Sequence, residues 1–236
     1  DSWCATHAKE YFFYYSYLAF TSSVLQLSAQ LIDSATNALA ETAGRMRAGT
    51  HSVETALGFV AFMAVASHTN YWVHRFSHTI PFLWRLHKFH HTQTAFTGLS
   101  NYRAHPLETV LGGYVTALLI ALLCPFTTPW AKHYGYFIFG MGVLTHSELK
   151  TNFGWLEKVF ITPLAHRAHH SLEPRHIDRN FGFSFSVWDR LYGTYVHVDP
   201  QEEFGLGVAE YAGLTPLQTA ARSLREPFVG INDPTR

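Results

Sequence analysis

Charged residues are absent from four stretches of the chain, and these stretches alternate with polar, histidine-rich segments. The stretches cover residues 11–32, 55–73, 109–131 and 133–147. A membrane-spanning helix needs about 20 predominantly apolar residues. The second and third stretches meet this requirement, the first is long but contains many Ser, Thr and Gln residues, and the fourth is short. The pattern predicts an all-α integral membrane protein with about four transmembrane helices, and the alternative is a soluble bundle with these helices buried.

Three histidine clusters follow the apolar stretches, two after the second and one after the fourth. Their spacings of three or four residues place side chains on one face of a helix. The clusters comprise His74, His78, His87, His90, His91, His166, His169 and His170. Neutral imidazoles bind iron, zinc, copper and nickel. Because a tetrahedral zinc site uses three or four ligands, this surplus indicates two metal ions.

Further histidines are candidates for the same centre. His146 closes the fourth apolar stretch on the side of the clusters, and it is a candidate ninth ligand. His105 precedes a proline and is a candidate for orienting a ligand or holding a substrate. His68 lies about a turn and a half before the first cluster. The remaining histidines lack partners at ligand spacing, so a structural role is the simpler interpretation for them.

Other catalytic motifs are missing from the sequence. There is no His-Glu-x-x-His zinc-protease motif, no Gly-x-Ser-x-Gly elbow and no phosphate-binding loop. The Glu-x-x-His motif of soluble carboxylate di-iron bundles occurs once, at Glu173 and His176, with Pro174 between them. Such a bundle needs two copies, so this single copy does not build one.

The composition of the chain argues against nucleic-acid binding and against roles for cysteine. The formal net charge of the 236 residues is +0, which gives no electrostatic case for nucleic-acid binding. The two cysteines, Cys4 and Cys124, imply neither a disulfide framework nor a thiolate metal site. We expect residues 1–198 to form one domain and residues 199–236 to form a peripheral tail. The chain starts at Asp1, which a processed targeting segment or an incomplete chain would explain.

The order of the stretches predicts the topology. Two apolar stretches separate the first two clusters from the third, so all three emerge on one side of the membrane. That side also carries Arg75, Arg85, Lys88, Arg103, Lys150, Lys158, Arg167 and Arg175. The loop of residues 33–54 on the other side contains two basic residues, Arg45 and Arg47. By the positive-inside rule, the clusters face the cytoplasm, or the matrix or stroma of an organelle.

Residues 70–195 match the pattern of a known family in order and spacing. The matching segments are YWVHRFSH at 71–78, HKFHH at 87–91, RAHPLE at 103–108, LTHS at 144–147, TPLAHRAHHS at 162–171, DRNFG at 178–182 and WDRLYGTY at 188–195. On these segments the chain resembles the fatty acid hydroxylase/sterol desaturase superfamily of integral-membrane di-iron enzymes.

This resemblance implies four membrane helices with a cytosolic helical cap, and an all-histidine centre of two iron ions. The eight cluster histidines and His146 would be the ligands. Trp72, His105, Asp178 and Asn180 would lie around them or near the substrate, with the last two hydrogen-bonding imidazoles. Family members often carry an acidic residue four positions before the Tyr-Trp pair, where this chain has Ser67.

The leading hypothesis is a membrane oxidoreductase that uses O2 to hydroxylate or desaturate a C–H bond of a lipid, such as a sterol, carotenoid-like or fatty-acyl compound. Electrons would come from cytochrome b5 or a ferredoxin, because the chain has no flavin, haem or iron–sulfur motif. A second hypothesis is a non-catalytic subunit of a larger membrane assembly that retains the fold. Zinc-dependent hydrolysis fits poorly, because the ligands are too many and the clusters lack a general-base carboxylate.

Overall fold

The structure is a computed structural model that describes residues 56–124 and 131–229. Within these ranges the chain is helical, as the sequence predicts, and its β pairing consists of two isolated bridges, Phe160 with Phe185 and Ser171 with Leu206. The first apolar stretch, the 33–54 loop and the end of the chain from residue 230 lie outside the described residues.

Helix α1 (Ala56–Thr79) and helix α2 (Pro81–His91) pack against each other and carry the first two histidine clusters. Helix α1 continues past its apolar stretch, as the spacing of His74 and His78 predicts. Ile80 between the helices is extended, and the proline after it starts α2, as expected for a residue with a fixed φ and no N–H.

Helix α3 (Pro106–Leu123) and helix α4 (Ala131–Thr145) correspond to the third and fourth apolar stretches. Of the described helices, α3 alone is both long and apolar enough to cross a membrane, with a mean hydropathy of 1.7. It buries none of its residues. Helix α1, which we expected to qualify, has 24 residues but becomes polar from Ser67 onward, and α4 has 15. The first half of α1 is nevertheless exposed at Leu57 and Val60.

Helix α5 (Pro163–His169) carries the third cluster. Thr162 caps it by accepting the N–H of Ala165 (3.1 Å), and Pro163 occupies its first turn, so the sequence defines where it starts. A loop then leads through a 3-10 turn at Pro174–His176 to the short helix α6 (Val187–Leu191). The chain between α5 and α6 contains two of the backbone carbonyls that contact the histidines, those of Arg179 and Phe181.

The C-terminal part packs on α2 through helix α7 (Pro216–Arg225) and a 3-10 turn at Glu226–Phe228. The ammonium group of Lys88 on α2 lies 2.5 Å from Glu210 and 2.8 Å from Glu226. Lys88, one of the basic residues expected on the metal side, is 3% exposed. Residues 216–228 of the expected peripheral tail thus pack on the helix that carries three of the histidines.

Candidate metal centre

Four helices bring the nine candidate histidines together. The last turns of α1 supply His74 and His78, and α2 supplies His87, His90 and His91. His146 follows the end of α4, and α5 with its C-terminal cap supplies His166, His169 and His170. The helical spacing places members of each cluster on one face, and the helix packing makes these faces converge.

The nine side chains divide into two groups. The five-histidine group contains His74, His78, His87, His91 and His169. The four-histidine group contains His90, His146, His166 and His170. Within each group, one ring nitrogen of every member lies within 4.8 Å of those of all other members. The groups adjoin each other, since the rings of His91 and His170 stack with centroids 4.0 Å apart.

Acceptors at Nδ1 fix the orientation of five rings. Backbone carbonyls accept from four of them, at 2.7 to 3.1 Å: Phe181 from His74, Arg103 from His90, Gly142 from His146, and Arg179 from His169. A carboxylate oxygen of Glu108 accepts from the fifth, His87, at 2.5 Å. A carbonyl or carboxylate oxygen can only accept, so Nδ1 carries the proton in these rings and Nε2 presents a lone pair.

The Nε2 atoms of these rings face one another at short distances. His74 Nε2 lies 3.1 Å from His87 Nε2 and 3.1 Å from His169 Nε2. In the other group, His90 Nε2 lies 3.1 Å from His146 Nε2. Both atoms of each pair present a lone pair, so these contacts are not hydrogen bonds between neutral rings. Each pair needs a cation between its members.

Protons are poorly suited to be those cations. Burial, with further repulsion from neighbouring rings, lowers the pKa of His90, His91, His166 and His170 well below the usual 6.5. Burial lowers the pKa of His169 to about 3. Desolvation disfavours the charged imidazolium, so these five rings are neutral at physiological pH. Neutral imidazole is the form that binds metal ions.

A strained loop holds two of the carbonyl acceptors. Asp178 and Asn180 both adopt left-handed backbone conformations, with φ of 56° and 54°. This conformation is uncommon outside glycine and is tolerated best by Asn and Asp. It places the carbonyls of Arg179 and Phe181 against His169 and His74. The signal in the sequence is therefore the Asp-x-Asn spacing, from which we expected side-chain contacts to imidazoles.

Buried side chains fix this loop. Asn180 donates to the carbonyls of Ala165 and Val196 and accepts the N–H of Val196, so its amide contacts backbone instead of an imidazole. The carboxylate of Asp189, which is fully buried, accepts the N–H groups of Phe181 (2.8 Å) and Gly182 (2.7 Å).

The Asp189 carboxylate accepts a further hydrogen bond, and the space beside it is filled. Thr194 donates its hydroxyl to the same carboxylate at 2.6 Å. Burial raises the pKa of Asp189, and the hydrogen bonds from Thr194, Gly182 and Phe181 act against that rise. A Cβ on Gly182 would meet Phe185 O and the Asp189 carboxylate, so this position has no room for a side chain.

The other predicted residues lie around the histidines in different ways. Asp178 Oδ1 lies 3.4 Å from His78 Nδ1. His105 is the N-cap of α3 and accepts the N–H of Leu107 (3.1 Å), and it belongs to neither group. Trp72 donates its indole N–H to His68 (3.0 Å). Ser67 accepts the indole N–H of Trp188 at 3.0 Å.

Glu108 contacts a candidate ligand, although we expected no role for it from the sequence. It lies in the first turn of α3, and it is the single charged residue of an otherwise apolar helix. An acidic side chain is costly in such a helix unless it has a partner. That exception to the apolar pattern is the signal that could have indicated its contact with His87.

Comparison with known proteins places the chain in a family. The fatty acid hydroxylase family model matches residues 59–194, which is 136 of the 236 residues. The chain therefore belongs to the fatty acid hydroxylase/sterol desaturase superfamily, as the sequence motifs predict. The matched region contains all nine candidate histidines. No solved structure matches the chain significantly.

Curated relatives share the same region. An alkylglycerol monooxygenase from Danio rerio is 31% identical over 136 residues, covering 58% of this chain and 30% of the relative. An ornithine lipid hydroxylase from Rhizobium tropici is 33% identical, covering 56% and 40%. A C-4 methylsterol oxidase from Schizosaccharomyces pombe is 32% identical, covering 53% and 42%. The aligned part of this chain thus spans less than half the length of each of these relatives.

Proposed function

We propose that this protein is a membrane-bound di-iron oxygenase that hydroxylates or desaturates a C–H bond of a lipid, using O2 and electrons from an external donor. The observation that carries the proposal is the set of histidine rings whose Nε2 atoms face one another, at 3.0 to 3.2 Å, in two adjoining groups. This arrangement is what two neighbouring metal ions require of their ligands. The nine histidines of the two groups are the proposed ligands.

The distances support shared metal coordination. With metal–nitrogen bonds of about 2.1 Å, nitrogens that bind one metal ion side by side lie about 3.0 to 3.4 Å from each other. The neighbouring Nε2 atoms of the four-histidine group are 3.0 to 3.2 Å apart. These rings are therefore spaced as ligands of one metal ion would be.

Ligand chemistry and family favour iron. Both groups consist of imidazoles alone, a ligand type that iron shares with zinc, copper and nickel. The five-histidine group has more ligands than a tetrahedral zinc site accepts. The relatives are named as a monooxygenase, a hydroxylase and an oxidase, which are redox activities that zinc does not support.

The bound irons would activate O2, and the protein would position their ligands and exclude water. The carbonyls of Arg103, Gly142, Arg179 and Phe181 hold four rings in the tautomer that leaves Nε2 free. Glu108 holds His87 in the same way and adds a negative charge. Such partners raise the basicity of the ligands and fix their direction.

A lipid is the proposed substrate class. The relatives are named for alkylglycerols, ornithine lipids and methylsterols, which are all lipids with long or bulky apolar parts. Helix α3 exposes an apolar surface that would lie in the bilayer, from which such a substrate would enter. We propose that α1, α3, α4 and residues 11–32 form the four-helix membrane part, with the histidines on its cytoplasmic, matrix or stromal side.

The electron donor is proposed to be an acidic protein such as cytochrome b5 or a ferredoxin. Basic residues on the metal side would attract it, because opposite charges steer association. Arg175 is exposed there and pairs with Glu202, whereas Lys88 is buried in its contacts with two glutamates. Lys88 is therefore not part of the proposed docking surface.

Labelled oxygen provides the test. Full-length protein in lipid nanodiscs, loaded with iron and supplied with a reductase and donor, would be given 18O2 and candidate lipids. We expect 18O in a hydroxylated product, or an O2-dependent double bond, detected by mass spectrometry. His170→Ala should abolish the product, and His197→Ala should not, because His197 lies outside both groups and contacts Glu157 at the surface. Full metal loading without any lipid oxidation would contradict the proposal.

A further inference from the structure

His68 accepts two hydrogen bonds at one ring nitrogen, and it belongs to neither histidine group. The indole nitrogen of Trp72 lies 3.0 Å from Nε2 of His68, and the hydroxyl oxygen of Tyr192 lies 2.7 Å from the same atom. An indole N–H only donates, so Nε2 carries a lone pair and the proton of the His68 ring is on Nδ1. The Tyr192 hydroxyl therefore donates to Nε2 as well. Tyr192 is thus a phenol in hydrogen-bond contact with a base.

Packing fixes the direction of the His68 ring. Trp188 lies against it with ring centroids 4.8 Å apart, and the indole N–H of Trp188 donates to Ser67 at 3.0 Å. The ring of Trp72 lies 5.0 Å from that of Tyr192, so the two donors to His68 also contact each other. These rings come from α1 and from the chain at α6. The contact between Tyr192 and His68 is therefore held in place from both segments.

Tyr192, Tyr71 and Phe181 form a row of rings, the aromatic row, that ends at the five-histidine group. The Tyr192 and Tyr71 rings stack with centroids 5.2 Å apart and planes 22° apart. Tyr71 meets Phe181 edge-on at 6.1 Å. Phe181 in turn lies 5.2 Å from the ring of His78 and 5.8 Å from that of His169. The rate of electron transfer falls steeply with distance, so a row of neighbouring rings is a favourable route between Tyr192 and the proposed metal site.

The two tyrosines of the aromatic row differ in what their hydroxyls contact. Thr194 donates its hydroxyl to Asp189 at 2.6 Å, so the Tyr71 hydroxyl donates to the Thr194 oxygen at 2.9 Å. Arg75 donates to the Tyr71 oxygen at 3.2 Å. A threonine hydroxyl is not a base at physiological pH, and the guanidinium cation opposes a positive charge on the ring. Tyr71 therefore lacks an acceptor for its proton, whereas Tyr192 has one in His68.

This difference decides which tyrosine can be oxidised. A phenol that loses an electron becomes a strong acid, so its oxidation is favourable only where a base takes the phenolic proton. Nε2 of His68 is such a base, and it already contacts the Tyr192 hydroxyl. Tyr192 is also 37% exposed, so an external reductant can reach it. Tyr192 is thus placed to lose an electron and to be reduced again.

We propose that Tyr192 is a redox-active tyrosine that gives one electron to the oxidised metal centre when no lipid is bound, while His68 takes its proton. This inference rests on the proposed function, which supplies the oxidant. The imidazole ligands are the groups nearest to an oxidised centre that holds no lipid, so they are the groups most exposed to damage. An electron from Tyr192 protects them.

The step balances in atoms and electrons. The O–H bond of Tyr192 breaks, an N–H bond forms at Nε2 of His68, and one electron passes along the aromatic row and reduces the metal centre by one. The products are a neutral phenoxyl radical and an imidazolium. The external one-electron donor then reduces the radical, and His68 returns the proton. The indole N–H of Trp72 has no acceptor while Nε2 is protonated, which favours this return.

Photo-oxidation tests the tyrosine–histidine pair in metal-free protein, without turnover. The whole chain in lipid nanodiscs would carry a ruthenium photo-oxidant at Leu191→Cys, a position that is 65% exposed and next to Tyr192, with both native cysteines replaced by serine. Flash oxidation should give a tyrosyl radical in electron paramagnetic resonance spectra. His68→Gln keeps an acceptor oxygen but is not a base, so the radical should form about 100-fold more slowly. An equal rate in His68→Gln would overturn the role of His68.

Two phenylalanine variants assign the radical. Tyr192→Phe should remove the tyrosyl signal, and Tyr195→Phe should leave it unchanged. Tyr195 is the matched control, because its hydroxyl donates to Glu157 at 3.2 Å and its ring lies against Arg190, so this variant also loses one hydroxyl and one hydrogen bond. A tyrosyl radical that persists in Tyr192→Phe, or a tryptophanyl radical in wild-type protein, would overturn the assignment.

Damage to the ligands tests the electron transfer to the metal centre. Iron-loaded protein would be reduced and exposed to O2 without lipid, and ligand histidines that gain an oxygen atom would be measured by mass spectrometry. At equal iron content, Tyr192→Phe should have a larger fraction of oxidised ligand histidines than wild-type protein or Tyr195→Phe. Equal damage in all three proteins would overturn the protective role.

The outcomes separate this inference from the proposed function. Incorporation of 18O with equal ligand damage in Tyr192→Phe would leave the oxygenase and remove the electron transfer from Tyr192. A Tyr192 radical that depends on His68, in protein that neither takes up O2 nor incorporates 18O when loaded with iron, would remove the oxygenase and with it the oxidant that this inference requires.

Discussion

Removing the carboxylate of Glu108 should weaken one metal position and spare the other. Glu108 accepts from Nδ1 of His87 at 2.5 Å, and His87 belongs to the five-histidine group. Partners of this kind contribute about 10- to 100-fold to metal affinity. For Glu108→Ala we therefore expect a loss of about 1.4 to 2.7 kcal/mol of binding free energy at one site. Glu108→Gln keeps an acceptor oxygen without the charge, so its loss should be smaller.

The assay is a titration of metal-free protein in nanodiscs with Co2+ against a competing chelator. Wild-type protein should bind two ions per chain. In Glu108→Ala, one binding step should weaken 10- to 100-fold while the other keeps its affinity. Equal weakening of both steps would show that Glu108 supports the whole fold rather than His87. Two unchanged steps would show that the contact with His87 does not support metal binding.

Three further perturbations have defined outcomes. Asp189→Asn sets an amide N–H against a backbone N–H of the loop that holds the carbonyl acceptors, so it should cost about 1–3 kcal/mol of stability and weaken one metal site. Thermal unfolding would measure the loss of stability, with the surface change Asp199→Asn as the control. Equal melting temperatures of the two variants would contradict the prediction. Lys88→Met leaves Glu210 and Glu226 without their shared buried cation and should cost about 3–5 kcal/mol of stability. Denaturant unfolding would compare it with Lys150→Met, which loses a surface ion pair worth at most about 1 kcal/mol. Similar losses of stability in the two variants would refute the distinction between the buried and the surface ion pairs. The pKa of His169 is 6.5 when exposed and about 3 when folded. The unfolded chain therefore binds more protons than the folded chain between these pH values, and the metal-free protein should lose stability as the pH falls below 6.5. A stability that does not change with pH over this interval would contradict the neutral state of the buried rings.

The helical framework of the site was accessible from the sequence. The spacings of the three clusters predict their helices, and Pro81 predicts the start of α2. The apolar stretches predict α3 and α4, although their boundaries and the polar end of α1 differ from the expectation. These features depend on local periodicity, which a sequence shows directly.

The division of the histidines was not accessible from the sequence. His87 and His90 are neighbours on α2, yet they belong to different groups, because the assignment depends on how α1, α4 and α5 pack around α2. The carbonyl acceptors of Arg179 and Phe181 carry no side-chain signal, since any residue supplies a carbonyl. Lys88 on α2 meets two glutamates on either side of α7, Glu210 and Glu226, and periodicity does not encode contacts at such a separation.

Metal content tests the central claim most directly. Protein expressed with iron, purified without oxygen and kept in lipid nanodiscs would be analysed for iron and zinc per folded chain. Two neighbouring sites built by nine histidines predict about two irons per chain in wild-type protein and a loss of iron in His91→Ala. A single ion, or zinc in place of iron under these conditions, would contradict the di-iron centre.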